Sequence, residues 1–269
     1  MKSFLNLFDV AKPIIGMVHL QALPGTPASR LSVESIVNLA VEEALAYQKA
    51  GIHGLLVENM HDLPYLCRQV GPEVVAVMTL AAAEVKRQTG LPCGVQILAG
   101  ANREALAVAL AAGLDFIRAE GFVFSQVSDE GLMHSDAGEL LRYRRQMGAE
   151  RVFILTDIKK KHSAHAITAD VGIAEMATAA EFFKSDGLVL TGLATGLSAN
   201  KEELLAVREA SRLPLLVGSG ITDGNLADYL PLADAFIVGS FFKQGGRWSA
   251  ALDAKRMSAL LEMREKLIS

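Results

Sequence analysis

The sequence predicts a single-domain α/β fold, a (β/α)₈ barrel over residues 1–269, and three observations carry that expectation. Short apolar runs repeatedly follow helical stretches that end at Gly or Pro. Links from helix to strand hold only a few residues, whereas links from strand to helix are often long, at about 21–31, 59–71, 121–135 and 158–169. In a barrel all strand-to-helix loops emerge at one end, where active sites are built, and long loops in compact domains tend to be functional. The length of 269 residues also sits near the ~250 typical of this fold. A doubly wound open sheet is the competing architecture, but no Gly-x-Gly-x-x-Gly fingerprint follows the first strand.

The elements follow in order. Residues 14–20 form the first apolar run. Val33, Ile36, Val37, Ala40, Val41, Ala44 and Leu45 then recur at helical spacing up to Lys49-Ala50-Gly51. Strand two is expected at 55–57. The longest apolar stretch, 74–83, holds a threonine and is followed by Glu84 and Lys86. It falls short of the ~18–20 residues that cross a bilayer and reads as a buried helix, ended by Thr89-Gly90. Strands three, four and five are expected at 95–98, 116–117 and 152–155, after Gly90, Gly113 and Gly148. Strand six (188–190) follows Asp186-Gly187, strand seven (215–217) follows Leu213-Pro214, and strand eight is 235–238. Gly after a helix takes the left-handed conformation that ends it, and short apolar runs suit strands buried on both faces. Asp136-x-x-Glu139 and Asn200-x-x-Glu203 resemble capping boxes, with Asp and Asn where the motif proper has Ser or Thr.

Composition excludes several classes. The net charge of −4 gives no footprint for nucleic acid, and Arg142, Arg144 and Arg145 read as a solvated helix face. Cys67 and Cys93, the two cysteines, lie far apart in no metal-like spacing, which suits a reducing compartment. The N-terminal stretch carries Asp9 and no long apolar region, so no signal peptide is expected. A cytoplasmic protein without membrane insertion is the expectation; a homo-oligomer is left open.

The expected strand ends carry the chemistry. Strand seven ends in Gly218-Ser219-Gly220 and strand eight in Gly239-Ser240. Glycines let backbone approach an anion, and the common phosphate site of this fold lies after these two strands. The other ends are polar: His19, then Glu58 and Asn59, then Gln96, then Arg118-Ala119-Glu120, then Asp157-Ile158-Lys159. Strand side chains alternate, so Arg118 shares a face with Glu120, and Asp157 with Lys159 if extension persists. Such pairs either brace the mouth or exchange protons once burial shifts them. A Schiff-base role for Lys159 is disfavoured, because that lysine must be neutral. His61, His134, His162 and His165 fall in mouth loops; His53 opens strand two at the opposite end and reads as structural. His162-x-x-His165 is a weak metal signal, and neither metal nor cofactor is expected. The loop Leu23-Pro24-Gly25-Thr26-Pro27 is expected to fold over the mouth as part of the pocket wall.

The segment Gly16-Met17-Val18-His19-Leu20-Gln21-Ala22-Leu23-Pro24-Gly25-Thr26-Pro27 resembles the opening signature of the BtpA/SgcQ family. Further matches run the length of the chain: Glu58-Asn59, Lys160-Lys161-His162, Thr191-Gly192-x-x-Thr195-Gly196, Ser219-Gly220 and Gly239-Ser240-x-x-Lys243. One departure is Ala250-Ala251 before Leu252-Asp253, where members often carry Asn-Pro before Val-Asp. The resemblance implies a phosphate-binding TIM barrel. Relatives have been linked to photosystem I accumulation and to sugar-utilisation gene clusters, and some carry isomerase or nucleosidase labels.

Two functions follow as expectations. The first is an enzyme performing isomerase, lyase or nucleosidase-like chemistry on a small phosphorylated sugar or phosphoribosyl compound. There Gly218, Ser219, Gly220, Gly239 and Ser240 hold phosphate, and Asp157 and Glu58 act as acid and base. His19, Arg118, Lys159 and His162 position the substrate, with Asn59, Gln96, Glu120, Thr191 and Gly192 also in the pocket. The alternative is a non-catalytic assembly factor for a membrane complex, which a large exposed apolar patch would favour.

Overall fold

The computed structural model describes residues 3–160, 162–192 and 196–268. Eight parallel strands close into a barrel: β1 (Ile14–His19), β2 (Gly54–Glu58), β3 (Cys93–Gln96), β4 (Phe116–Ala119), β5 (Phe153–Asp157), β6 (Gly187–Leu190), β7 (Leu215–Val217) and β8 (Ala235–Val238). Each pairs with its neighbour in sequence, and β8 closes on β1. The helices are α1 (Val33–Ala50), α2 (Pro72–Thr89), α3 (Asn102–Ala111), α4 (Ala137–Gln146), α5 (Ile173–Phe182), α6 (Lys201–Ala210), the short α7 (Leu226–Tyr229) and α8 (Ala254–Ile268). Gly51 and Gly90 end α1 and α2 in the left-handed conformation, at φ 90° and 66°.

Alternation along the strands divides the chain's apolar residues between two clusters. Val18, Leu55, Val57, Val95, Ile117 and Ile154 point outward and pack on the helices. Ile15, Met17, Leu56, Phe116, Leu155, Val189, Leu216 and Ile237 point inward, and Phe4 and Phe8 join them. Phe4 meets Phe116 edge-on with ring centroids 5.2 Å apart. A Cβ on Gly94 would overlap the Phe116 ring, so the glycine is what admits that side chain to the barrel interior. Two residues further along each strand the same inward positions become His19, Glu58, Gln96, Arg118, Asp157, Thr191, Gly218 and Gly239. The interior is therefore dry and apolar at one end, and polar or side-chain-free at the end where the strands stop.

Most expectations for the elements hold, α2 as a buried helix among them. β3 ends at Gln96 rather than 98, because Leu98 N–H leaves the ladder and donates to Asn59 Oδ1 at 2.8 Å. Asn200 caps α6 by accepting from the N–H groups of Glu202 and Glu203. Asp136 does not cap α4; its Oδ2 instead accepts from Arg68 at 2.8 Å and Asn102 at 2.9 Å. The arginine face on α4 is solvated except at Arg144, which reaches Asp186 Oδ2 at 2.6 Å and braces the approach to β6. Among the described residues no helix is long and apolar enough to cross a membrane.

Over the strand-end face lies a small antiparallel sheet of Gln126–Ser128, Gly131–Met133 and Ser163–Ala164. It ties the loop after β4 to the loop after β5.

Candidate functional site

The polar end of the barrel opens into a cavity of about 520 Å³. His19, Glu58, Gln96, Arg118, Glu120 and His162 line it, as do Gly218, Ser219, Gly220, Gly239 and Ser240. The inward layer thus brings together most of the side chains expected from the strand ends.

Its charges are arranged in pairs. His19 Nε2 stands 3.4 Å from Glu58 Oε2, and His19 Nδ1 lies 3.2 Å from the carbonyl oxygen of Trp248. Arg118 donates to both oxygens of Asp157, Nη2 to Oδ1 at 2.9 Å and Nε to Oδ2 at 3.1 Å. Burial opposes the charge on Arg118, yet Asp157 more than offsets it and the guanidinium stays protonated above its ordinary range. Gln96 Nε2 donates to Glu120 Oε1 at 3.2 Å. Lys160 Nζ stands 3.5 Å from Glu120 Oε2 and 3.5 Å from Glu130 Oε2. Burial raises the Glu120 carboxyl despite that ammonium, and the flanking carboxylates of Glu120 and Glu130 hold Lys160 charged in spite of its own burial. Glu120 is therefore a carboxyl that burial shifts toward its protonated form, standing beside a charged ammonium.

The opposite wall is backbone. Gly218 N–H is committed to Leu190 O at 2.8 Å. Ser219 Oγ accepts from Gly192 N–H at 2.8 Å and donates to Leu197 O at 2.9 Å, pinning the loop after β6 to the one after β7. Among the described residues the N–H groups of Ser219, Gly220, Gly239 and Ser240 donate to no protein acceptor. Gly220 has φ 70°, and a Cβ there would strike Ser198 and Leu197. A Cβ on Gly218 would sit 3.3 Å from Arg118 Nη2, so the missing side chain leaves the guanidinium uncovered toward this wall.

Several expectations are corrected. Lys159 does not share the mouth face with Asp157: extension stops after β5, Lys159 takes φ 55°, and its Nζ reaches Glu203 at 2.7 Å. The next residue, Lys160, enters the cavity instead. Asp157 is buried behind Arg118 and is not part of the cavity lining. Asn59 is buried away from the cavity, where it donates to Asp62 Oδ2 at 3.0 Å and holds the turn after β3. Thr191, Gly192 and Lys159 line a separate space of about 220 Å³ that touches the main cavity through Lys160 and His162. The loop carrying Leu23 and Thr26 does not wall the pocket; buried Asp62 holds it down, accepting from Leu23 N–H at 2.8 Å and Thr26 Oγ1 at 3.1 Å. Lys161 and Thr195 of the sequence motifs lie outside the described residues. Among the described residues no three His, Cys, Asp or Glu side chains form a metal-binding group. His53 sits at the far end, accepting Ile14 N–H at 3.0 Å.

The structure adds groups the sequence reading misses. Tyr65, Glu130, Lys160, Trp248 and Arg256 all line the cavity. The Trp248 indole packs on His61, centroids 4.7 Å apart, and meets His19 edge-on at 6.2 Å. Only Lys160 had a local signal, its place beside the strand-five end.

The family model described as BtpA family matches residues 10–266. A Caenorhabditis elegans protein whose name carries the word mitochondrial is 48% identical over 263 residues, covering 96% of this chain and 95% of that one. The photosystem I biogenesis protein BtpA of Synechocystis is 35% identical, covering 97% of this chain and 90% of its own. Among solved structures, the fold resembles a thiamine phosphate pyrophosphorylase from Pyrococcus furiosus at TM-score 0.58 and 16% identity, covering 99% of this chain and 100% of that one. It also resembles the N-acetylmannosamine-6-phosphate 2-epimerase of Clostridium perfringens at TM-score 0.56 and 15% identity, covering 89% and 90%.

Proposed function

The chain belongs to the BtpA family, and from that premise we propose that it is an enzyme acting by acid/base chemistry on a small phosphorylated sugar or phosphoribosyl compound. One observation carries the reading: buried Glu58, Glu120, Arg118 and Lys160 converge on a single cavity whose facing wall is the glycine turns after β7 and β8. Desolvating ionisable groups opposes folding, and a catalyst gains from that arrangement where a scaffold does not.

On this reading the phosphate rests against the N–H groups of Ser219, Gly220, Gly239 and Ser240. The sugar then extends beneath Arg118 toward β2–β5. Glu120 donates a proton to a leaving or carbonyl oxygen, and Glu58, oriented by His19, takes one from carbon or water. Asp157 acts through Arg118 as a positioning residue, and His162 closes the side nearest β6. Both structural neighbours are named for phosphorylated compounds, which is consistent with such a substrate.

The test is a screen of phosphosugars and phosphoribosyl compounds for turnover by mass spectrometry, paired with melting curves. A true ligand at a hundredfold excess over its Kd adds roughly 2.7 kcal/mol of stability. Gly239→Asp, which sets a carboxylate at the wall, should abolish that gain. No response to any phosphorylated compound would remove the phosphate site from the reading.

A second reading, an assembly factor for a membrane complex, draws on the Synechocystis relative's name and on the adjacent exposed rings of Phe182 and Phe183, 75% and 46% exposed. It gains if mouth substitutions leave partner assembly intact and no compound turns over.

A further inference from the structure

We propose that Arg256 is the cationic half of the phosphate wall and restricts it to a terminal phosphate monoester; this rests on the phosphate reading above. The other cations whose contacts are defined at the cavity already have acidic partners: Arg118 has Asp157, and Lys160 has Glu120 and Glu130. Arg256 also lines the cavity, and among the described residues its guanidinium has no carboxylate partner.

Its position is nonetheless held. Nη1 donates to Phe241 O at 3.0 Å, and the guanidinium lies over the Phe241 ring at 5.0 Å. Phe241 directly follows Ser240, so the turn that presents the anion-facing N–H groups also aims this guanidinium. A Cβ on Gly246 would stand 3.4 Å from Arg256 Nη1, and its absence leaves that flank open. Arg256 also sits in the first turn of α8, which holds no acidic residue. A cation there opposes the helix dipole, and Asp253 answers it in part, its Oδ1 accepting from the N–H groups of Lys255 at 3.0 Å and of Arg256 itself at 3.4 Å. An unpaired arginine fixed at an unfavourable helix position beside a row of free N–H groups matches a doubly charged, three-oxygen terminal phosphate. A diester, with one charge and two free oxygens, leaves part of that set unmet.

The experiment titrates the full chain with ribose 5-phosphate, inorganic phosphate, dimethyl phosphate and ribose, by calorimetry and by melting. Wild type should bind the first two and neither of the others. Arg256→Gln should weaken ribose 5-phosphate binding about tenfold to a hundredfold, since charge-assisted hydrogen bonds are the strong ones. It should also flatten the dependence of affinity on salt. Arg256→Lys, which keeps the charge without the planar fork, should fall between, and it carries the test if the Gln variant does not fold. Equal binding by wild type and Arg256→Gln, with Gly239→Asp inactive, overturns the role of Arg256 while the phosphate wall stands. Equal affinity for dimethyl phosphate overturns the monoester restriction. Failure of wild type to bind any phosphate overturns both this proposal and the reading beneath it.

Discussion

Arg118 at the end of β4 and Asp157 at the end of β5 form a fork across adjacent strands, with their side chains only 5% and 2% exposed. Breaking such a buried pair strands a charge, which typically destabilises by about 3–5 kcal/mol. Asp157→Asn should therefore lower the denaturant midpoint strongly, and replacing both residues by apolar ones of similar volume should recover much of the loss. A midpoint unchanged in Asp157→Asn would mean the fork does not brace the mouth.

His53 gives a pH-dependent prediction at the other end of the barrel. Burial, with a smaller contribution from Arg264, lowers the imidazole from its ordinary 6.5 to about 4. The geometry agrees, since Nδ1 accepts the Ile14 N–H and must stay unprotonated to do so. The unfolded chain takes up a proton near pH 6.5 and the folded one only near 4. The stability from the neutral ring is thus fully present above 6.5 and is lost as pH falls toward 4. Melting curves from pH 7 to 4 should show a decline that is shallower in His53→Asn. Parallel declines would remove His53 from the acid response.

The barrel was legible because glycine and proline punctuate it and because inward and outward residues alternate. His19, Glu58, Gln96 and Arg118 could be placed at the mouth by strand ends alone, for the same reason. Lys159 could not: parity along a strand ceases to apply once the backbone turns, and at φ 55° the chain hands the mouth to Lys160. The fork between Arg118 and Asp157 crosses strands, so no spacing within the chain announces it. Leu23-Pro24-Gly25-Thr26 has the composition of a lid, but the buried acceptor that draws it down, Asp62, lies on another loop. Trp248 and Arg256 come from the return path after β8, where nothing local distinguishes them from surface residues.

Glu120 supplies the sharpest division between catalyst and scaffold. Its Oε1 accepts from Gln96, its Oε2 stands 3.5 Å from Lys160 Nζ, and burial raises its carboxyl above the ordinary range. A carboxyl so raised is more stable protonated. The stability it contributes is complete below the ordinary glutamate value and is lost as pH rises through the folded one. Glutamine imitates the protonated acid in shape and neutrality, so at acid pH, where the carboxyl holds its proton, Glu120→Gln should melt no lower than wild type. Glutamine cannot release a proton, however, and losing a general acid typically costs ~10²–10⁴ in rate. With a substrate from the phosphosugar screen, turnover should collapse in Glu120→Gln. In wild type the rate should fall as pH rises through the shifted value, and no comparable limb should survive in the variant. A variant that melts lower and turns over normally would make Glu120 a brace for Lys160, and the acid would then have to be sought elsewhere in the mouth.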